Sequence, residues 1–143
     1  MTTFFLKTSR NKVKRNTADQ WFSRFIRIRD IITGEYCRCV TCGKSLHWKY
    51  EAQCGHYATR GKAATRYNEQ NCHAQCVYCN GQNKGEQAKH GFKIDDMYGE
   101  GTARSLIELS GTLAKHSKMA ISDIAKEYRK KTKKIAKKKG IEL

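Results

Sequence analysis

Two Cys-x-x-Cys pairs, Cys39-Val40-Thr41-Cys42 and Cys76-Val77-Tyr78-Cys79, bracket the part of the chain equipped for chemistry. Four thiolates brought together make the tetrahedral sulfur shell that zinc takes in closed structural sites. The spacing predicts one Zn2+ held by Cys39, Cys42, Cys76 and Cys79, with an iron–sulfur cluster as the competing occupant. Such a metal folds its domain and does no chemistry itself. Cys54-Gly55-His56 and Asn71-Cys72-His73 stand between the pairs, and Asn80 follows the last cysteine. Phosphodiester hydrolysis needs a base to deprotonate water and a cation to neutralise the leaving oxygen. A neutral imidazole suits the first task, and a hard divalent ion on an oxygen ligand suits the second. His56 follows a glycine at a predicted strand end and lies between the knuckles, and Asn71 and Asn80 fall where such a site would use them. A lone histidine is more often structural, which is the plainer reading of His56.

The bulk composition points the same way. Lys and Arg total 29 against 13 acidic residues in 143, a formal charge of +16, so a polyanion is the expected partner. Hydrophobic residues make up 38%, which favours a small core stapled by metal. The 7 cysteines are an odd number, which fits metal ligation in a reducing compartment better than a disulfide framework. Cys37, Cys54 and Cys72 fall outside the pairs and read as small buried apolar residues. No apolar run approaches the roughly 18 residues of a spanning helix. The apolar part of Met1 to Lys7 is too short for a signal peptide. The expectation is a cytoplasmic protein with no membrane association.

The elements that must position these residues follow in order. Residues 1–16 form a basic arm containing Lys12, Lys14 and Arg15, which either follows a phosphate backbone or is simply solvated. Thr17-x-x-Gln20 reads as a capping box opening an amphipathic helix. Its apolar stripe is Trp21, Phe25, Ile28 and Ile32, widened by Phe22 and Ile26, and Gly34 is expected to end it. Arg24, Arg27 and Arg29 lie off that seam and either reach DNA or solvate the face. Strands are expected over 53–57 and 71–76, joined by a loop holding Arg60, Lys62 and Arg66. Asn80 should open a helix that Gly91 stops. Residues 92–143 then read as a helical, Lys-rich extension, its last helix capped by Ser122. His47, His90 and His116 have no chemical context and read as surface residues. The expected class is α+β: leading helix and zinc-bound core over 17–91, with the arm before it and the extension after it.

Gly55-His56, Asn71, and Cys76-x-x-Cys79-Asn80 resemble the His-Asn-His nuclease motif in its ββα-metal (His-Me finger, treble-clef) form. More narrowly, Cys54-Gly55-His56-Tyr57-x-x-Arg60, Thr65-Arg66-Tyr67 and Asn71-Cys72-His73-x-Gln75-Cys76 are similar to the phage NinG (Rap) recombination proteins. The likeness covers about residues 12–130 and is specific only over 39–80. The stretch from Cys79 to Phe92 also resembles the phage junction resolvase endonuclease VII. The resemblance implies a structure-specific endonuclease for branched DNA, such as Holliday junctions and D-loops, in the host cytoplasm if phage-encoded. It implies His56 as general base, Asn71 as the residue that fixes the hairpin and orients His56, and Asn80 as ligand of a catalytic Mg2+ or Mn2+. Many such nucleases carry an aspartate before the base, where this chain has Gly55. His73 is the candidate for a replacement ligand, ahead of Asn83 and Glu86.

Arg60 is assigned to the scissile phosphate, because a guanidinium matches phosphate with a two-pronged fork; its plainer reading is a solvated loop arginine. DNA contacts are expected from Arg60, Lys62, Arg66 and Lys84, from Lys12, Lys14 and Arg15, and from Lys130, Lys131, Lys133 and Lys134. One such centre cuts one strand, so symmetric resolution implies a homodimer. Leu106, Ile107, Leu109, Ile124 and Tyr128 offer an apolar face that either makes the dimer or packs back on the core. The rival readings are a non-catalytic zinc module that binds nucleic acid and a general nicking nuclease without branch preference.

Overall fold

The computed structural model describes residues 13–143; Lys12 and the rest of 1–12 lie outside the described residues. Helix α1 spans Thr17–Arg29. Its cap is Asn16, one residue before the expected Thr17: Asn16 Oδ1 accepts from the Asp19 amide at 2.8 Å, and Asp19 returns a carboxylate to the Asn16 amide at 2.9 Å. An amide side chain can close this box as well as a hydroxyl can. Phe22, Phe25, Ile26 and Ile28 are buried, each large one contributing roughly 1.5–3 kcal/mol. The helix stops at Arg29 with Asp30 as its C-cap. Ile32 is therefore exposed, and Gly34 (φ +59°) sits in the turn where Thr33 bridges Tyr36. Neither belongs to the helix, contrary to expectation.

Strands β1 (Tyr36–Arg38) and β2 (Ser45–His47) form a small antiparallel hairpin beside the first knuckle. Strands β3 (Gln53–His56) and β4 (Cys72–Gln75) form a second, close to the expected bounds. In the β3–β4 register Gly55 faces His73 and His56 faces Cys72. Alternation then sorts the side chains by face. Cys54 and Cys72 pack with Phe22, Phe25 and Ile26 of α1. His73 and Gln75 take the opposite face, bonding His90 and the Gly85 carbonyl.

After β4 the chain makes a π-helical turn, Tyr78–Gln82, instead of opening a helix at Asn80. Lys84 and Glu86 then adopt left-handed backbone, and helix α2 (Gln87–Tyr98) runs straight through Gly91. Gly91 serves contact, not termination: a Cβ there would stand 3.0 Å from the Tyr57 ring. His90, expected at the surface, is fully buried by the same packing. His116 is half-buried, with Nε2 3.0 Å from the Ala63 carbonyl.

Helix α3 (Thr102–Ser110) buries Ala103 and Leu106 against Ile94 of α2. Helix α4 (Lys118–Lys139) is capped by Ser117, a full turn before the expected Ser122. It packs along α1, with Tyr128 edge-on to Phe22 at 4.9 Å and Ile124 and Ile135 beside it. At its end Lys139 Nζ donates to the carbonyls of Ile28, Arg29 and Ile31 at 2.8–3.0 Å, satisfying the open end of α1. The apolar face of the C-terminal region therefore packs back on the core; Ile107 and Leu109 remain exposed. The class is α+β, as expected: helices around two small sheets.

Candidate functional site

The two knuckles meet. Ligand atoms of Cys39, Cys42, Cys76 and Cys79 all lie within 4.8 Å of one another, and Cys42 Sγ is 3.9 Å from Cys76 Sγ. A tetrahedral zinc with bonds of about 2.3 Å places its sulfurs about 3.8 Å apart, so the cluster fits a structural metal such as zinc. The first knuckle is tied to β4 by the Val40 amide on the Ala74 carbonyl at 2.9 Å, and Gly43 (φ +78°) closes its turn. In the second, the Cys79 amide donates to Cys76 Sγ at 3.4 Å. Burial disfavours a thiolate at Cys39, but the Thr41 hydroxyl and nearby amides outweigh it and bring that thiol down to about 6. A metal held there would fix the chain between the end of β4 and Asn80.

A cavity of about 590 Å3 opens between α1, the β3–β4 hairpin and the 80–87 turn. His56, Arg60, Asn80, Lys84, Asp19 and Arg15 line it. His56 is held at Nε2, 3.0 Å from the Arg66 carbonyl oxygen. A carbonyl can only accept, so Nε2 carries the proton and Nδ1 is left with a lone pair. Burial, reinforced by the Arg60 charge, pushes the imidazole down to about 4. The ring is neutral at pH 7.

Asn71 holds that carbonyl in place. It is completely buried; its Oδ1 accepts from the Ala58 amide at 2.8 Å, and its Nδ2 donates to the carbonyls of Ala58 and Thr65 at 3.0 and 3.2 Å. One side chain therefore pins both ends of the 58–65 loop, next to Arg66. Asn71 lies beneath the cavity as a positioning residue and is not in its lining.

Asn80 reaches the cavity with its Nδ2 donating to Gln53 Oε1 at 2.8 Å, which leaves its amide oxygen as the free end. Arg60 donates through Nη2 to the Val13 carbonyl. Its Nη1 is buried without a hydrogen-bond partner among the described residues, 3.5 Å from Asp19 Oδ2. Arg66 does not reach out. It is buried and forks Asp19, with Nε 2.9 Å from Oδ1. Burial would raise the Asp19 carboxyl; the Arg66 and Asn16 hydrogen bonds and both arginine charges outweigh it and hold it below its usual range. Asp19 was not singled out in the sequence, although it is the sole acid in the first 29 residues of a strongly basic chain.

Other expected residues lie elsewhere. His73 is on the far face of the hairpin, with Nδ1 3.0 Å from His90 Nε2 and Nε2 3.1 Å from the Tyr98 hydroxyl. It cannot supply a ligand on the His56 side. Asn83 and Glu86 bond each other. Lys131 turns inward to Glu69 Oε2 at 2.7 Å, with its ammonium over Tyr128. Arg27 and Arg29 donate to the carbonyls of Trp48, Glu69 and Cys72, which makes both structural. Lys14, Arg15, Lys62, Lys84, Lys130, Lys133 and Lys134 are exposed. Among the described residues no helix is long and apolar enough to cross a membrane.

The family profile described as Bacteriophage Lambda NinG protein matches residues 6–139. The chain belongs to the NinG family. The ninG protein of Escherichia phage lambda is 33% identical over 84 residues, covering 58% of this chain and 38% of that protein. The ninG protein of Escherichia phage 933W is 32% identical over 84 residues, covering 58% and 39%. The match thus spans about two-fifths of the length of these relatives. No solved structure matches the chain. NinG membership is what the residues from Cys39 to Asn80 had implied.

Proposed function

We propose that the chain is a metal-dependent endonuclease that hydrolyses phosphodiester bonds in branched DNA, such as four-way junctions and D-loops, and serves phage recombination. In this reading the β3–β4 hairpin, the π turn and α2 form a ββα-metal unit stapled by Zn2+. One observation carries the reading: His56 and Asn80 line one cavity, each pinned through one end, so that an imidazole lone pair and an amide oxygen are both left free. Oriented groups of this kind remove much of the entropic cost of reaction.

His56 Nδ1 takes the proton of the attacking water. Protonating a buried imidazole is costly alone, and the anionic phosphate beside it lowers that cost. Arg60, in the cavity wall, offers its guanidinium to the phosphate, and Asp19 keeps it oriented. Asn80, through its oxygen, would hold a hard ion such as Mg2+ or Mn2+, which when bound neutralises charge on the leaving oxygen. Arg15, Lys62 and Lys84, near or in the cavity wall, meet the flanking phosphates, and Lys130, Lys133 and Lys134 of α4 meet another arm. Two copies acting together would cut both strands of a symmetric junction.

The test is incubation of the protein with labelled four-way junction and linear duplex, with and without Mg2+. Mg2+-dependent cutting of the junction in preference to the duplex is expected. Binding without cutting would favour a non-catalytic zinc module, and equal cutting of both would favour a general nicking nuclease.

A further inference from the structure

We infer that Cys54, His56 and Cys72 form a second metal site, selective for soft divalent ions such as Zn2+, Cd2+ and Co2+, built on the imidazole that the proposed nuclease reaction needs free. Ligand atoms of these three residues lie within 4.8 Å of one another. The register explains why. His56 and Cys72 are paired across the strands, Cys54 is two residues from His56, and all three share one face of the hairpin. Cys54 and His56 line the cavity, which gives an ion a route in, while Cys72 is fully buried behind them.

The surroundings resemble those of a ligand set more than those of ordinary packing. His56 donates its Nε2 proton to the Arg66 carbonyl, the outer bond that metal-bound histidines make through the nitrogen not on the metal. Burial opposes a thiolate at Cys72, and the Asn71 Nδ2 donor 3.9 Å from its sulfur and the Arg29 charge work against that, so a divalent ion is what would let the sulfur ionise. Charge selects the ion. Two thiolates and a divalent cation sum to zero, which suits a site walled by Phe22 and Phe25. Thiolate sulfur prefers zinc, cadmium or cobalt to magnesium. Binding releases the two thiol protons to solvent, forms two sulfur–metal bonds and one nitrogen–metal bond, and leaves a fourth position for water or another donor from the cavity.

The site rests on geometry and not on the nuclease reading, so each can fail alone. Where both hold, a soft ion and the proton compete for one lone pair on His56, and excess Zn2+ inhibits.

The experiment counts metal in the full chain under a phosphine reductant, which keeps the cysteines from oxidising. Dialysis against micromolar Zn2+ followed by elemental analysis should give two zinc ions per chain, falling to one for Cys54→Ser and for His56→Ala. Titration with Co2+ should show two successive thiolate-to-cobalt absorption increments, the second missing in both variants while the first remains. The retained increment reports that the variant is folded. A single equivalent in the unaltered chain, or a second equivalent that survives both substitutions, would overturn the proposal.

Discussion

The carbonyl oxygen of Arg66 stands 3.0 Å from Nε2 of His56, and the same arginine's guanidinium forks the buried carboxylate of Asp19. One residue therefore orients the imidazole through its backbone and is itself fixed by a charge on α1. His56→Ala should remove the proposed base and leave this frame standing. Cleavage of a labelled junction is expected to fall about 100- to 10,000-fold, the usual worth of a positioned base. The zinc of the four-cysteine cluster should be retained, and junction affinity should stay near that of the unaltered protein. Cleavage at the ordinary rate would show that His56 is not the base.

Asp19→Asn is expected to damage the fold as well as the cavity. The substitution leaves the Arg66 guanidinium buried beside a neutral amide and takes the counter-charge from Arg60. Breaking one partner of a buried pair costs about 3–5 kcal/mol. A urea unfolding midpoint measured above pH 6 should drop accordingly. The Asp19 carboxyl lies below its usual range in the folded chain, so its contribution is complete above the unfolded value near 3.8 and fades as pH falls through the lower folded value. The difference between the unaltered protein and Asp19→Asn should therefore shrink only in strong acid.

Packing at Gly55 leaves no room for a larger side chain such as aspartate. A Cβ on Gly55 would overlap the side-chain amide oxygen of Gln75. Gln75 cannot easily yield, because it is fully buried and its Nε2 donates to the Gly85 carbonyl at 2.9 Å and to Thr41 Oγ1 at 3.1 Å. Gly55→Ala should cost about 1–3 kcal/mol by overpacking, and Gly55→Asp should cost more. Neither should improve cleavage. A Gly55→Asp variant as stable as the unaltered chain, measured by denaturant melts, would show that the hairpin has room.

How much of this could be read in advance divides by the range of the interaction. The metal knuckles, the β3–β4 hairpin and the amphipathic stripe of α1 depend on spacing, and spacing is visible in a sequence. Caps shifted by one residue at Asn16 and by five at Ser117, because several polar residues near each helix start can serve and tertiary packing chooses among them. Gly91 looked like a helix stop; its reason, the Tyr57 ring, is a contact across the fold. Arg66 and Lys131 looked like phosphate ligands. Their partners, Asp19 and Glu69, are distant in sequence, and only the fold shows that they are already engaged. Of the expected site, His56, Asn80 and Arg60 do line one cavity, whereas His73 lies on the other face because β-strand alternation puts neighbours of Cys72 out of reach.

That other face carries the last prediction. His73 and His90 are buried with nitrogens 3.0 Å apart, and the Tyr98 hydroxyl closes the far end. Burial pushes both down to about 3, with the Arg29 charge adding at His73 and His73 adding at His90. The unfolded chain protonates each near 6.5, so between those values it binds protons that the folded chain refuses. Stability is complete above about 6.5 and falls with acid, by at most about 1.4 kcal/mol per pH unit for each histidine. Urea melts at pH 7.5 and 5.5, with zinc content followed in parallel, should show this loss before the metal leaves. His90→Gln should have a shallower pH dependence than the unaltered chain. An unchanged slope in that variant, with zinc retained throughout, would mean that the buried pair is not what makes the fold sensitive to acid.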